Sequence, residues 1–295
     1  MAAYDSVEQA RVLQFKANVT HLYQQTGAKL RGTFREETLA GKAHFFERLG
    51  TEAAVLKSAR HADTVLLDPA HTRRMVVPAD YVWNALVDQQ DKIRLLIDPN
   101  SEYAIAAANA LKRAQDDAYI AAFTADAATG ESGGTAVTFA ADSAAGDVDV
   151  SAAAVTTVNI LAIKKALDNG DVPAEERYAA VMPSVITQLL ANTTAPIAAS
   201  SDYNTIKALV MGELDTWCGF KWITTTRCPL AAVTDYFTFF WQKQSMGAAI
   251  AKEIMARLSE RADKDYATQS YACMTIGATR IQGPGVYRLR IDNAL

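Results

Sequence analysis

Residues 101–123, SEYAIAAANALKRAQDDAYIAAF, hold nine alanines and neither glycine nor proline. Alanine loses least on entering a helix, and nothing in the stretch breaks the backbone ladder, so the stretch predicts one long helix. Pro99 and Ser101 supply its start signal. At 1.5 Å per residue it spans about 35 Å, the width of a small domain. Ala104, Ala107, Leu111, Ala114, Ala118 and Ala121 recur at helical spacing as a thin, smooth face. Lys112, Arg113, Asp116 and Asp117 take another side. A rod this plain supports other elements; it carries no chemistry of its own.

What surrounds it is large enough to need support. The chain has 295 residues, half of them hydrophobic, which provides for one large or two modest domains. The net charge of −4 lacks the basic excess of a sequence-specific nucleic-acid binder. No run of 18 apolar residues is present, and residues 1–25 lack a signal-peptide core, so the expected site of synthesis is a cytoplasm with no membrane partner. Cys218, Cys228 and Cys273 are too few and too irregular for a disulfide framework or a CxxC metal site.

Residues 5–26 read as a helix interrupted by Gly27 and Gly32. Residues 28–60 carry seven basic and four acidic side chains, too polar a stretch to bury a core of its own, which predicts an extended arm or loop. TVLLD (64–68) and RRMVVP (73–78) read as the two strands of a projecting hairpin. Residues 80–97 read as helical at least in part, although 81–83 could continue the strand. Beyond the long helix, 126–151 is a Gly-, Ala- and Asp-rich surface segment with two short strand signals. A helix at 155–168, a strand at 178–182 and a helix at 183–191 give an α/β rhythm, followed by a helix at about 204–211. Strands FKWITTT, YFTFFWQ, TQSYACMTIGATRI and GVYRLRI follow, and GAAIAKEIMARL (247–258) reads as a helix among them. The class is α+β.

Candidate catalytic groups are sparse. GESGG (130–134) resembles the nucleophile motif of chymotrypsin-like serine proteases, with Ser132 as the nucleophile. That reading needs a histidine and a buried aspartate beside it; His44 and Asp63 precede it in the right order but in unrecognisable surroundings. A glycine-rich turn explains the same residues. The four histidines show no HxxxH or HExxH spacing, so no metal is expected, and no phosphate loop or dinucleotide fingerprint calls for a cofactor. FTFFW (237–241) lacks interleaved basic residues and reads as a core strand. Asp116 and Asp117 read either as a solvated face or as charges that meet another subunit.

Three stretches together resemble one family. VDQQDKIRLLIDPNSEYAIAAANALKRAQDDAYIAAFTADAATG is similar to the central segment of tailed-phage major capsid proteins. MPSVITQLLAN with SDYNTIKALVMGELDTWCGFKWI, and ADKDYATQSYACMTIGATRI, agree in order and separation, over roughly residues 35–285 in all. The resemblance implies the Hong Kong 97 type capsid fold. Its N-terminal arm would be 1–34, its extended loop 35–79, and its peripheral domain 80–151 and 235–295, with the long helix as spine. Its axial domain would be 152–234. It also implies a non-enzymatic chain that forms hexamers and pentamers of an icosahedral virion shell, assembled in a bacterial cytoplasm. The implied partners are itself, separate scaffolding and portal proteins, and packaged double-stranded DNA held by proximity.

On that reading the expected charge contacts between subunits are Arg35, Glu36, Glu37, Arg48, Arg73 and Arg74 in the loop, with Asp116 and Asp117 on the spine. Two rivals remain at this point. One is an encapsulin-type nanocompartment shell that encloses enzyme cargo. The more remote one is a serine hydrolase using Ser132.

Overall fold

The computed structural model describes residues 23–61, 63–88, 100–191, 216–232 and 234–293. In chain order the first strands are β1 (Arg35–Thr38), β2 (His44–Leu49), β3 (His71–Val76) and β4 (Ala79–Val87), followed by the long helix α1 (Asn100–Thr124). Next come β5 (Ala127–Thr129), β6 (Thr135–Val137), a single turn α2 (Phe139–Asp142), β7 (Asp147–Asp149) and α3 (Thr157–Asn169). Then follow β8 (Arg177–Val181), α4 (Pro183–Ala191), β9 (Thr216–Trp217), β10 (Phe220–Thr224) and β11 (Asp235–Gln242). The chain ends in β12 (Met246–Arg261), β13 (Ala267–Arg280) and β14 (Val286–Asp292). Among the described residues no helix is long and apolar enough to cross a membrane.

The strands form three sheets: β1-β12-β13-β4, β7-β14-β11-β8-β10-β9 and β2-β3-β5-β6. The second sheet is the wall between two cores, and alternation along its strands shows how. On β11, Phe239 and Trp241 face a core shared with α1, while Phe240 faces a core shared with α3 and α4. β8 does the same with Ala180 on one side and Ala179 and Val181 on the other. In the first core Phe34 stacks on Tyr119 at 4.5 Å and Phe123 stacks on Phe239 at 4.5 Å. Trp241 Nε1 donates to Thr33 O at 3.1 Å, so this buried indole is satisfied. FTFFW is thus a core strand, as its composition predicts.

Several expectations are corrected. GAAIAKEIMARL is not a helix: it lies in β12, paired antiparallel with β13 from Met246↔Arg280 to Arg261↔Ala267. Its Ala, Glu, Met and Leu favour helix intrinsically, but a ladder along nearly the whole strand outweighs that weak prior. Gly247 begins it, and a Cβ there would lie 2.6 Å from the Phe46 ring, so only glycine lets β2 close over the strand. Residues 79–87 are strand throughout, and TVLLD is not a strand: β3 pairs instead with β2. Residues 23–26 are not helical; the rest of the helix expected over 5–26, the 89–97 stretch and the helix at about 204–211 lie outside the described residues. On α1 the buried track is Ala107, Leu111, Tyr119, Ile120 and Phe123, whereas Ala121 is exposed.

One buried ionic group ties these layers together. Arg280 is fully buried, its Nε 2.7 Å from Asp142 Oδ2. Its Nη1 donates to Phe123 O (2.9 Å) in the last turn of α1 and to Ala125 O (3.2 Å) just beyond it, and Nη2 to Val137 O (3.2 Å) on β6. Arg74 of β3 reaches the other Asp142 oxygen at 2.5 Å. Removing one partner of such a group strands buried charge and carbonyls together. Arg280→Ala is therefore expected to cost about 3–5 kcal/mol in urea unfolding. A loss below about 1 kcal/mol, the size of a surface pair, would contradict this role.

Candidate assembly surfaces

The first surface is a segment with no core beneath it among the described residues. β2 and β3 pair from His44↔Val76 to Leu49↔His71, and Gly50 N donates to Ala70 O at 2.8 Å to close the root. Beyond that root, Thr51 to Asp68 is exposed wherever described and belongs to no ladder. Leu56 and Leu66 stand 91% and 90% exposed, and Val55, Val65 and Leu67 are exposed with them. Apolar side chains gathered in one projecting loop, with no core under them, mark a binding element. The composition of 28–60 predicts the extension; the apolar contribution of 55–67 was missed, although TVLLD was its signal.

The root itself is rigid. Arg48 Nη1 donates to Ile281 O at 2.9 Å, and Arg74 is buried against Asp142. Glu37 accepts from Arg35 Nε at 2.7 Å and lies 2.7 Å from His44 Nε2. Burial pushes the Glu37 carboxyl up, but these bonds from His44 and Arg35 outweigh it and hold it below the usual carboxylate range. Arg73 lies 3.2 Å from Glu47 and 5.3 Å from the centre of the Phe45 ring.

The second surface follows α1. Asp116, only 1% exposed, accepts from Lys29 N (2.9 Å), Leu30 N (3.0 Å) and Gln25 Nε2 (2.5 Å). It clasps the N-terminal segment to the helix. Glu36 accepts from Gly32 N at 2.9 Å and from the Tyr119 hydroxyl at 3.0 Å, which extends the same junction. Asp117 is exposed and holds Arg227 through both carboxylate oxygens.

All eight expected contact residues thus bond within their own subunit, and they are not gathered in one place. Asp116 and Arg74 are interior groups, so in this conformation neither side chain can reach a second copy. Arg35, Arg73 and Asp117 keep enough exposure to do so. Ser132 is exposed in the turn between β5 and β6, and His44 is engaged with Glu37, so the described residues assemble no Ser–His–Asp set there.

Two outcomes follow from these junctions. Asp116→Ala leaves the buried Leu30 N and the part-buried Lys29 N without their acceptor, so stability falls by about 1–3 kcal/mol and limited proteolysis near 23–30 accelerates. Unchanged cleavage and unfolding curves would show that the clasp is idle. Because the folded Glu37 carboxyl is depressed, its stabilising contribution is present above the ordinary carboxylate value and lost as pH falls through the folded value. The stability gap between wild type and Glu37→Gln should therefore shrink below about pH 4. A gap that widens in acid would contradict the assignment.

A family model described as phage capsid protein matches residues 7–293. No curated protein matches the chain. Among solved structures, the capsid of cyanophage Pam1 superposes with a TM-score of 0.74 at 13% identity, covering 100% of both chains. The capsid of cyanophage P-SCSP1u gives 0.72 at 16% identity, covering 97% of this chain and 94% of that one. The capsid of the native GTA particle gives 0.72 at 14% identity, covering 99% of each. At such identities these likenesses establish the fold alone, and it is the α+β capsid fold expected from the sequence. With nearly its whole length matched by the family model, the chain belongs to the phage capsid protein family.

Proposed function

We propose that many copies of this chain close into hexamers and pentamers of an icosahedral shell around phage double-stranded DNA. The observation that carries this reading is the segment 51–69, whose apolar side chains are exposed and have no partner among the described residues. A shell subunit meets several neighbours at once, so contacts that are weak singly add up to a cooperative lattice. Arg35, Arg73 and Asp117 are the accessible charges that would set register between copies.

In this reading residues 1–34 form the arm and 35–79 the extended loop. The peripheral domain is 80–151 with 235–295, and the axial domain is 152–234. β11 and β14 would join the two, since each shows one face to the core of α1 and the other to the core of α3 and α4. The role is structural, not enzymatic. Scaffolding and portal proteins are the further partners, assembly takes place in the host cytoplasm, and DNA is a neighbour by enclosure. The net charge of −4 fits a wall that lets DNA pack and leave, because tight phosphate binding needs a basic excess. The family match favours a phage shell over an enzyme-filled nanocompartment.

Electron microscopy of the concentrated protein, with its mass by light scattering, tests this directly. Closed shells or flat hexagonal arrays are the expected outcome, alone or with the scaffolding protein of the same phage co-expressed. A monomer under both conditions would overturn it.

A further inference from the structure

α1 buries one flank in the first core and exposes Asp117 and Ala121 on the other. Two further segments meet it on that exposed side. Arg113 Nη1 donates to Gln24 Oε1 at 2.5 Å and to Gln25 O at 3.5 Å. Lys29 Nζ donates to Thr224 O at 2.7 Å, next to Arg227, which Asp117 holds. Lys221 Nζ stands 5.5 Å from the centre of the Tyr178 ring, and that ring stacks on Trp241. Trp241 belongs to the core of α1, so Lys221 lies on the α1 side of the second sheet. Lys29 and Lys221 are exposed, and Arg113 is half-buried.

Among the described residues these three cations are held by neutral groups alone: a carbonyl, an amide oxygen, a ring face. The carboxylates beside them are committed. Asp116 is buried under three N–H donors, and Asp117 is balanced by Arg227. In a chain of net charge −4, this flank therefore keeps positive charge that no described carboxylate there neutralises. An ammonium and a guanidinium so held still have donors to give. Phosphate oxygens accept such donors in charge-assisted bonds. The far side of the first sheet differs. It carries Lys252 and Arg257, but set among exposed Val82 and Leu86, and its Arg261 is taken by both oxygens of Asp263. Exposed apolar groups mixed with charge suit a protein neighbour, not a phosphate backbone.

We infer that this flank of α1 is the inner wall of the shell, where Lys29, Arg113 and Lys221 contact the phosphodiester backbone of the enclosed DNA. This rests on the shell reading above and deepens it by naming the face that meets the DNA. Three such contacts per copy carry no sequence preference, and each weakens as salt rises. Repeated over the shell, they hold the outermost layer of duplex loosely and let it leave.

Formaldehyde cross-linking of DNA-filled shells tests it, with the linked peptides identified by mass spectrometry after nuclease digestion. Nucleotide-bearing peptides containing Lys29 and Lys221 are expected, and none containing Lys252, Lys42 or Lys57. Filled shells that link DNA only through those other lysines, or through none, would overturn the inference while leaving the shell reading intact. So would links from Lys29 and Lys221 to the scaffolding protein alone, made only before DNA enters. A variant with Lys29→Gln and Lys221→Gln provides the second readout, since both side chains are exposed and their loss leaves the cores untouched. It should assemble normally and lose most of the DNA cross-linking, several-fold or more. Wild-type cross-linking yield from this variant overturns the assignment. Failure of the wild-type chain to form shells under any condition would remove the shell reading and this inference with it.

Discussion

The fold depends on how one buried guanidinium is satisfied. Arg280 sits at the end of β13, where carbonyls at the C-terminal end of α1, a carbonyl of β6 and the Asp142 carboxylate converge on it. Each of those groups would cost free energy if buried unpaired, and together they fix where the helix ends and where the following hairpin begins. Asp142 then holds Arg74, so the root of the projecting loop is referenced to the same point. Arg48, bonded to Ile281 O one residue beyond Arg280, adds a second tie. On the shell reading, a loop that meets a neighbour at a defined angle needs a root of this kind, because its own described residues form no core.

The subunit is accordingly complete at its centre and incomplete at its margins. Two cores share one sheet, and aromatic stacking locks α1 onto that sheet. Among the described residues, apolar side chains at 55–67 and the edge of β12 beyond Ile250 have no partner. Chains that fold alone cover such features or blunt them with charge. Here the exposed charges bond within the subunit, as Arg35 does with Glu37 and Arg261 with Asp263. Exposed pairs of this kind contribute little to stability and exchange readily.

Much of this was legible in the sequence where local signals and tertiary demands agree. The alanine-rich run 101–123 has nothing but helix to become, and α1 spans it. Pro183 opens α4 where a first helical position suits proline. GAAIAKEIMARL misleads because its residues favour helix, while its conformation is imposed by β13 and by the close approach of Phe46 at Gly247. Asp116 looked like a surface charge because its partners are backbone N–H groups 86 and 87 residues away, which no local pattern reveals. TVLLD carries strand propensity that a single copy leaves unused. The order of the family's stretches was readable; the free edge of β12 was not, since pairing is a property of sheets and not of segments.

The central claim is that segment 51–69 finds its partners only in other copies of the chain. Hydrogen–deuterium exchange, compared between free subunits and assembled shells, tests it most directly. The account predicts fast exchange throughout 51–69 in the free subunit and strong protection on assembly, while α1 is protected in both. Equal, fast exchange of the segment in both states would contradict it.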